Sequence, residues 1–132
     1  MKILVDPQIY NSQVYGGVSR YYTEVFSELE KKNDVEIEIP IFFSNNEYLK
    51  VSSLYKKDHK KYSGVINLIS KLGISTRKMV KKKSKKKAVA ALKKQCYDVF
   101  IPTYYDTYFL AVVSAAAAPV DLYSLFSPSI IF

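Results

Sequence analysis

The chain has a single cysteine, Cys96, so neither an internal disulfide nor a cysteine-built zinc site can form. A lone small thiol beside a strand is expected in the core. There is also one histidine, His59, set among Lys56, Lys57, Lys60 and Lys61. Neighbouring cations oppose its protonation, and it is expected on the surface with no catalytic role. No apolar run reaches the roughly 18 residues of a membrane-spanning helix. Ile3-Leu4-Val5 before Asp6 is too short for the apolar stretch of a secretory signal, so the expected compartment is the cytoplasm. The sequence contains no G-x-G-x-x-G, which argues against dinucleotide binding. Arginine is scarce, with only Arg20 and Arg77, and no acidic residue occurs from His59 to Tyr97.

What the chain has in excess is lysine. Twenty Lys and Arg against twelve Asp and Glu leave a net charge of +8 over 132 residues. Such a balance suits anionic lipid, nucleic acid or a phosphorylated substrate. The charge is concentrated in Lys81, Lys82, Lys83, Lys85, Lys86 and Lys87, interrupted only by Ser84. Read as a helix from about residue 76 to 95, this segment carries lysine on nearly all sides. It is either a solvated, self-repelling face or a patch for anionic headgroups. Nucleic acid fits less well, because such surfaces mix arginine and aromatics among the lysines.

The length suits one domain with a modest core. Residues 2–5 form a short apolar run without alternation, as in a parallel strand covered on both faces. Val18, Tyr22, Val25, Phe26 and Leu29 recur at helical spacing, with Glu28 placed to pair with Lys32. Residues 35–42 alternate, and Pro40 marks a sheet edge or a strand end. Ser44, Asn45 and Asn46 form a capping cluster. Residues 47–62 read as polar and irregular. Val65, Leu68, Ile69 and Leu72 give a short helical face ending at Gly73, and residues 97–101 form a last strand ended by Pro102. The expected fold is α/β: three or four parallel strands, with 2–5, 35–42 and 97–101 in one sheet and helices on both faces.

Two stretches at the carboxyl ends of strands are candidate sites, since open parallel sheets bind ligands there. The first holds Gly16, Gly17 and Arg20 at the start of a helix. Backbone N–H groups at such a terminus, with an arginine one turn in, suit a phosphate; a plain turn is the alternative. The second is Tyr104-Tyr105-Asp106. These side chains suit a sugar acceptor by stacking and hydrogen bonding, or are simply packed at a strand end. No catalytic residue, metal ligand or cofactor is assigned.

Residues 1–6, Met-Lys-Ile-Leu-Val-Asp, followed by Tyr15-Gly16-Gly17-Val18-Ser19-Arg20-Tyr21, resemble the start of a family 4 glycosyltransferase. The stretch from Tyr97 to Asp106 resembles the N-terminal domain of one branch of that family. The resemblance covers roughly residues 1–111 and implies a Rossmann-like N-terminal domain of the two-domain GT-B arrangement. It further implies transfer of a sugar from a nucleotide-sugar donor to a glycan or lipid-linked acceptor, in cell-surface polysaccharide synthesis. The chain departs from the pattern at Ile101, where that branch usually carries histidine, and it lacks the His-Asp pair expected after the next strand. Enzymes of this family are generally far longer. The expectation is therefore a partial domain over 1–111 and a divergent tail over 112–132 that reads as frameshifted, inactive without its C-terminal partner domain. The competing class is a non-enzymatic basic module that binds anionic membrane, or less readily nucleic acid, through residues 78–94.

Overall fold

The computed structural model describes residues 1–56 and 60–116. In chain order the elements are β1 (Lys2–Val5), α1 (Gln8–Ser12), α2 (Gly17–Glu30), β2 (Glu36–Glu38), α3 (Glu47–Val51), α4 (Ser63–Lys71), α5 (Arg77–Lys94), β3 (Val99–Ile101) and α6 (Tyr108–Ala116). The three strands form one parallel sheet in the order β2-β1-β3. Ile3 stands opposite Ile37 on one side and Val99 on the other. The fold is α/β, and the three expected strands share one sheet in parallel, as their patterns predict.

β1 is central because all of its apolar side chains are covered. Ile3, Leu4 and Val5 are buried, and successive strand residues point to opposite faces, so both faces of β1 are covered. The main core gathers Ile3 and Val5 with Ile9, Tyr10, Phe26, Ile37, Ile39, Ile41, Leu49 and Leu54. β2 is an edge strand and stops at Glu38, before Pro40. Residues 39–44 remain buried beyond it, although they leave the ladder.

Several local expectations are corrected. The loop over 8–15 contains the short helix α1, which buries Ile9 and Tyr10. In α2 the buried residues are Ser19, Thr23 and Phe26, while Val18 is exposed. Two hydroxyls can face the core because each bonds a carbonyl of its own chain: Ser19 Oγ to Gly16 O at 3.0 Å, and Thr23 Oγ1 to Ser19 O at 2.7 Å. Glu28 pairs with Lys31 at 2.6 Å rather than with Lys32. The stretch 47–62 is partly ordered by α3, whose N-cap Asn46 accepts the Leu49 N–H at 2.9 Å. Cys96 is exposed, because Gln95 ends α5 in the left-handed conformation and puts the thiol in the turn before β3.

The largest correction concerns the lysine tract. α5 buries Val80, Ser84, Ala88 and Leu92 at four-residue spacing, so the helix has one dry stripe. Ser84 is 0% exposed and its Oγ accepts the Phe42 N–H at 3.0 Å. The one small residue in the tract thus lets α5 lie against the backbone just past β2 and supplies the bond that the ladder no longer offers Phe42. Three of the six lysines also hold local partners. The Lys83 ammonium lies 4.7 Å from the Phe42 ring centroid, Lys85 pairs with Asp106 at 3.0 Å, and Lys87 Nζ reaches Ile41 O at 3.5 Å.

α6 runs unbroken through the expected domain boundary at residue 111. Residues 117–132, most of the expected tail, lie outside the described residues, as does His59. Among the described residues no helix is long and apolar enough to cross a membrane.

Candidate functional site

The carboxyl edge of the sheet is organised by Asp6, the residue directly after β1. Its N–H continues the ladder to Ile101 O at 2.9 Å, and the residue is 0% exposed. One carboxylate oxygen accepts the Tyr108 hydroxyl at 2.9 Å and the Gln8 N–H at 3.4 Å; the other accepts the Thr103 N–H at 3.3 Å. Thr103 Oγ1 in turn donates to Asp6 O at 2.9 Å and accepts the Ile9 N–H at 3.2 Å. One buried carboxyl therefore joins the ends of β1 and β3 to α1 and α6. Burial pushes its pKa up, and the hydrogen bonds from Tyr108, Thr103 and Gln8 act against that rise. The Tyr108 phenol is pushed far up by burial and by the adjacent carboxylate. Burial also raises Tyr10, to about 12. Asp6 is sealed from solvent and acts as a positioning residue for the loops around it.

A cleft of about 260 Å³ opens above this node, with Gln8, Lys81, Lys85, Tyr104, Tyr105 and Asp106 among its walls. Gln8 and Asp106 hold each other: Gln8 Nε2 donates to Asp106 O at 2.9 Å, and the Asp106 N–H donates to Gln8 Oε1 at 3.3 Å. Asp106 Oδ1 accepts the Tyr108 N–H at 3.2 Å, and Oδ2 takes Lys85. The tyrosine rings stand 5.0 Å apart, tilted to one another, and Tyr105 is 88% exposed. The walls thus offer fixed donors and acceptors beside two open aromatic faces. That chemistry suits a polyhydroxylated ligand, whose C–H faces stack on rings while its hydroxyls hydrogen-bond.

A second cleft, of about 350 Å³, lies between the end of α1, the chain after β2 and the start of α5. Ser75, Thr76, Arg77 and Lys81 contribute to it from the α5 side. Asn11, Ser12 and Lys81 line both clefts, so the two adjoin. Asn11 Oδ1 is buried and has no hydrogen-bond partner in the structure. A buried acceptor in that state is destabilising until a donor reaches it.

The glycine stretch lies elsewhere. Arg20 turns to Glu24 at 2.8 Å and lines a separate groove of about 430 Å³ with Glu24, Glu28 and Tyr48. Two carboxylates beside one arginine do not favour an anion. Gly16 and Gly17 line none of these clefts. A Cβ on Gly16 would stand 2.1 Å from Gln13 Oε1, and that same oxygen accepts the Ser19 N–H at 3.3 Å. Gly16 therefore makes room for a side chain of its own protein, which occupies one of the helix-terminal amides expected to meet a phosphate. The structure does not bring Gly16, Gly17 and Arg20 together with Tyr104, Tyr105 and Asp106.

The residues that reasoning from sequence missed are Asp6, Asn11, Tyr108 and Ser84. An acidic residue directly after an apolar parallel strand was a usable signal for Asp6, and the only non-lysine in residues 81–87 was one for Ser84. Nothing local distinguishes Asn11 or Tyr108. Among the described residues no cluster of three or more His, Cys, Asp or Glu could hold a metal ion. Ile101 is buried at the end of β3 and takes no part in the cleft. Comparison with family models, curated proteins and solved structures found no match.

Proposed function

We propose that this α/β unit is the acceptor-side half of a family 4 glycosyltransferase of the GT-B type, with the cleft of Gln8, Tyr104, Tyr105 and Asp106 receiving a sugar. The reading rests on the sequence resemblance and on one observation: an exposed tyrosine pair beside a fixed hydrogen-bonding frame at the carboxyl edge of a parallel sheet. The reaction is transfer of a hexose or similar sugar from a nucleotide-sugar to a glycan or lipid-linked acceptor, in the cytoplasm at the inner face of the membrane. The C-terminal domain of such an enzyme contributes most donor contacts, closes the cleft and excludes water. The α/β unit by itself therefore binds acceptor sugars weakly.

Saturation-transfer NMR with p-nitrophenyl hexosides tests this. The expected result is transfer to the glycoside, lost in Tyr105→Ala, a change at an exposed position that leaves the fold intact. Equal transfer to parent and variant, or none to the parent, would remove the sugar site.

A further inference from the structure

Helix α4 is turned the wrong way for a core helix. Its only buried residue is Ile66, which joins Phe42, Phe43 and Val80 in a small cluster. Ile69, one turn on, is half-buried on the same side, and Ser63, Asn67 and Ser70 line the adjoining clefts. The apolar residues at i, i+3 and i+7 face the other way: Val65 is 59% exposed, Leu68 61% and Leu72 71%. Ile74, in the turn that follows, is 58% exposed. Gly73, at φ +78°, ends the helix there and donates its N–H to Ser70 O at 3.0 Å. The result is an apolar knuckle at the α4–α5 turn.

The charge around this knuckle has one sign. Lys60, Lys61, Lys71, Arg77 and Lys78 flank it in the chain, and no acid occurs from His59 to Tyr97. α5 continues the same field. Lys78, Lys82 and Lys86 recur every four residues, opposite the buried stripe of Val80, Ser84 and Ala88, and among the described residues they form no ion pair. A protein partner would require an apolar face ringed by acids. A bilayer with anionic headgroups offers both components at once, apolar acyl chains beneath a negative surface.

We infer that the α4–α5 turn is a membrane-docking element, in which Val65, Leu68, Leu72 and Ile74 enter the headgroup boundary of an anionic bilayer while the α5 lysines meet its surface charge. The inference stands on α4 and α5 alone and does not depend on the sugar-transfer reading. It differs from binding by the lysine tract by itself, because the apolar contact makes part of the affinity insensitive to salt.

Vesicle co-sedimentation of the full chain tests it, using phosphatidylcholine alone and phosphatidylcholine with phosphatidylglycerol. The parent is expected on the anionic vesicles only. Leu68→Ser with Leu72→Ser is expected to weaken partitioning more than tenfold, since a buried leucine contributes roughly tenfold or more. Lys78→Gln, Lys82→Gln and Lys86→Gln together are expected to weaken it by about fivefold per lysine and to reduce the salt dependence. All these positions are exposed, so thermal unfolding should match the parent. Three results would overturn the inference: no partitioning of the parent, partitioning unchanged by the leucine pair, or a dimer in sedimentation that the leucine pair dissociates, which would assign the face to a second copy.

Discussion

Exchanging one serine and one lysine within the tract, as Ser84→Lys with Lys82→Ser, leaves composition, net charge and lysine count unchanged. Reasoning from composition expects no effect. The structure expects a large one. Ser84 is 0% exposed and holds the Phe42 N–H, itself buried. Losing that acceptor alone leaves a buried donor unsatisfied, which costs about 1–3 kcal/mol, and Ser84→Ala isolates this component. Ser84→Lys adds an ammonium and four methylenes where the helix touches the backbone. The ammonium must snorkel out past Val80 and Ala88 or push α5 away, so the total should exceed about 3 kcal/mol. Against a total stability of about 5–15 kcal/mol, that is a severe loss. Lys82→Ser alone, at an exposed position, should stay within about 0.5 kcal/mol. Urea denaturation followed by circular dichroism reads the parent and all four variants. If Ser84→Lys came within 0.5 kcal/mol of the parent, a bound set by the usual effect of surface changes, α5 would not be seated on the stripe described here.

Tyr108→Phe removes a hydrogen bond to the buried Asp6 carboxylate and should cost about 1.5–3 kcal/mol, measured by the same denaturation. The folded-state pKa of Asp6 is raised above its ordinary value, so the native chain holds this proton more tightly than the unfolded one; its contribution to stability is fully present below the ordinary carboxylate range and is lost as pH rises through the raised folded value. The stability difference between parent and Asp6→Asn should therefore shift in the parent's disfavour as pH is raised across that window, and a pH-independent difference would refute the assignment. Gly16→Ala should cost about 0.5–2 kcal/mol by displacing the Gln13 cap, with no backbone strain, because φ at Gly16 is extended at 177°. In a Gln13→Ala background the same change should be nearly neutral, and a double-mutant cycle measures the coupling.

Short-range chemistry made much of this architecture legible. The unalternating run at 2–5 marked a doubly covered strand, Pro40 marked the end of an edge strand, and Asn46 was readable as a cap. The Tyr104-Tyr105-Asp106 loop was readable as lying at the carboxyl rim of the sheet, where it lines a cleft, because topology alone sends loops after parallel strands there. What remained hidden depended on partners distant in the chain. Gly16 looked like a phosphate loop until Gln13 was seen to fill the space beside it. Asp6 acquired its role from Thr103 and Tyr108, about a hundred residues away. The α5 lysines looked uniform, and only Phe42, 42 positions earlier, distinguishes Ser84 from its neighbours. α4 shows the same limit in reverse: its apolar spacing predicted a helix, and packing turned Val65, Leu68 and Leu72 of that face to solvent. Periodicity, charge and the order of the elements follow from neighbouring residues and need no partner from elsewhere in the chain. Which face is buried, and which polar atom finds a partner, was decided by tertiary structure, because desolvation and hydrogen bonding act between atoms brought together in space.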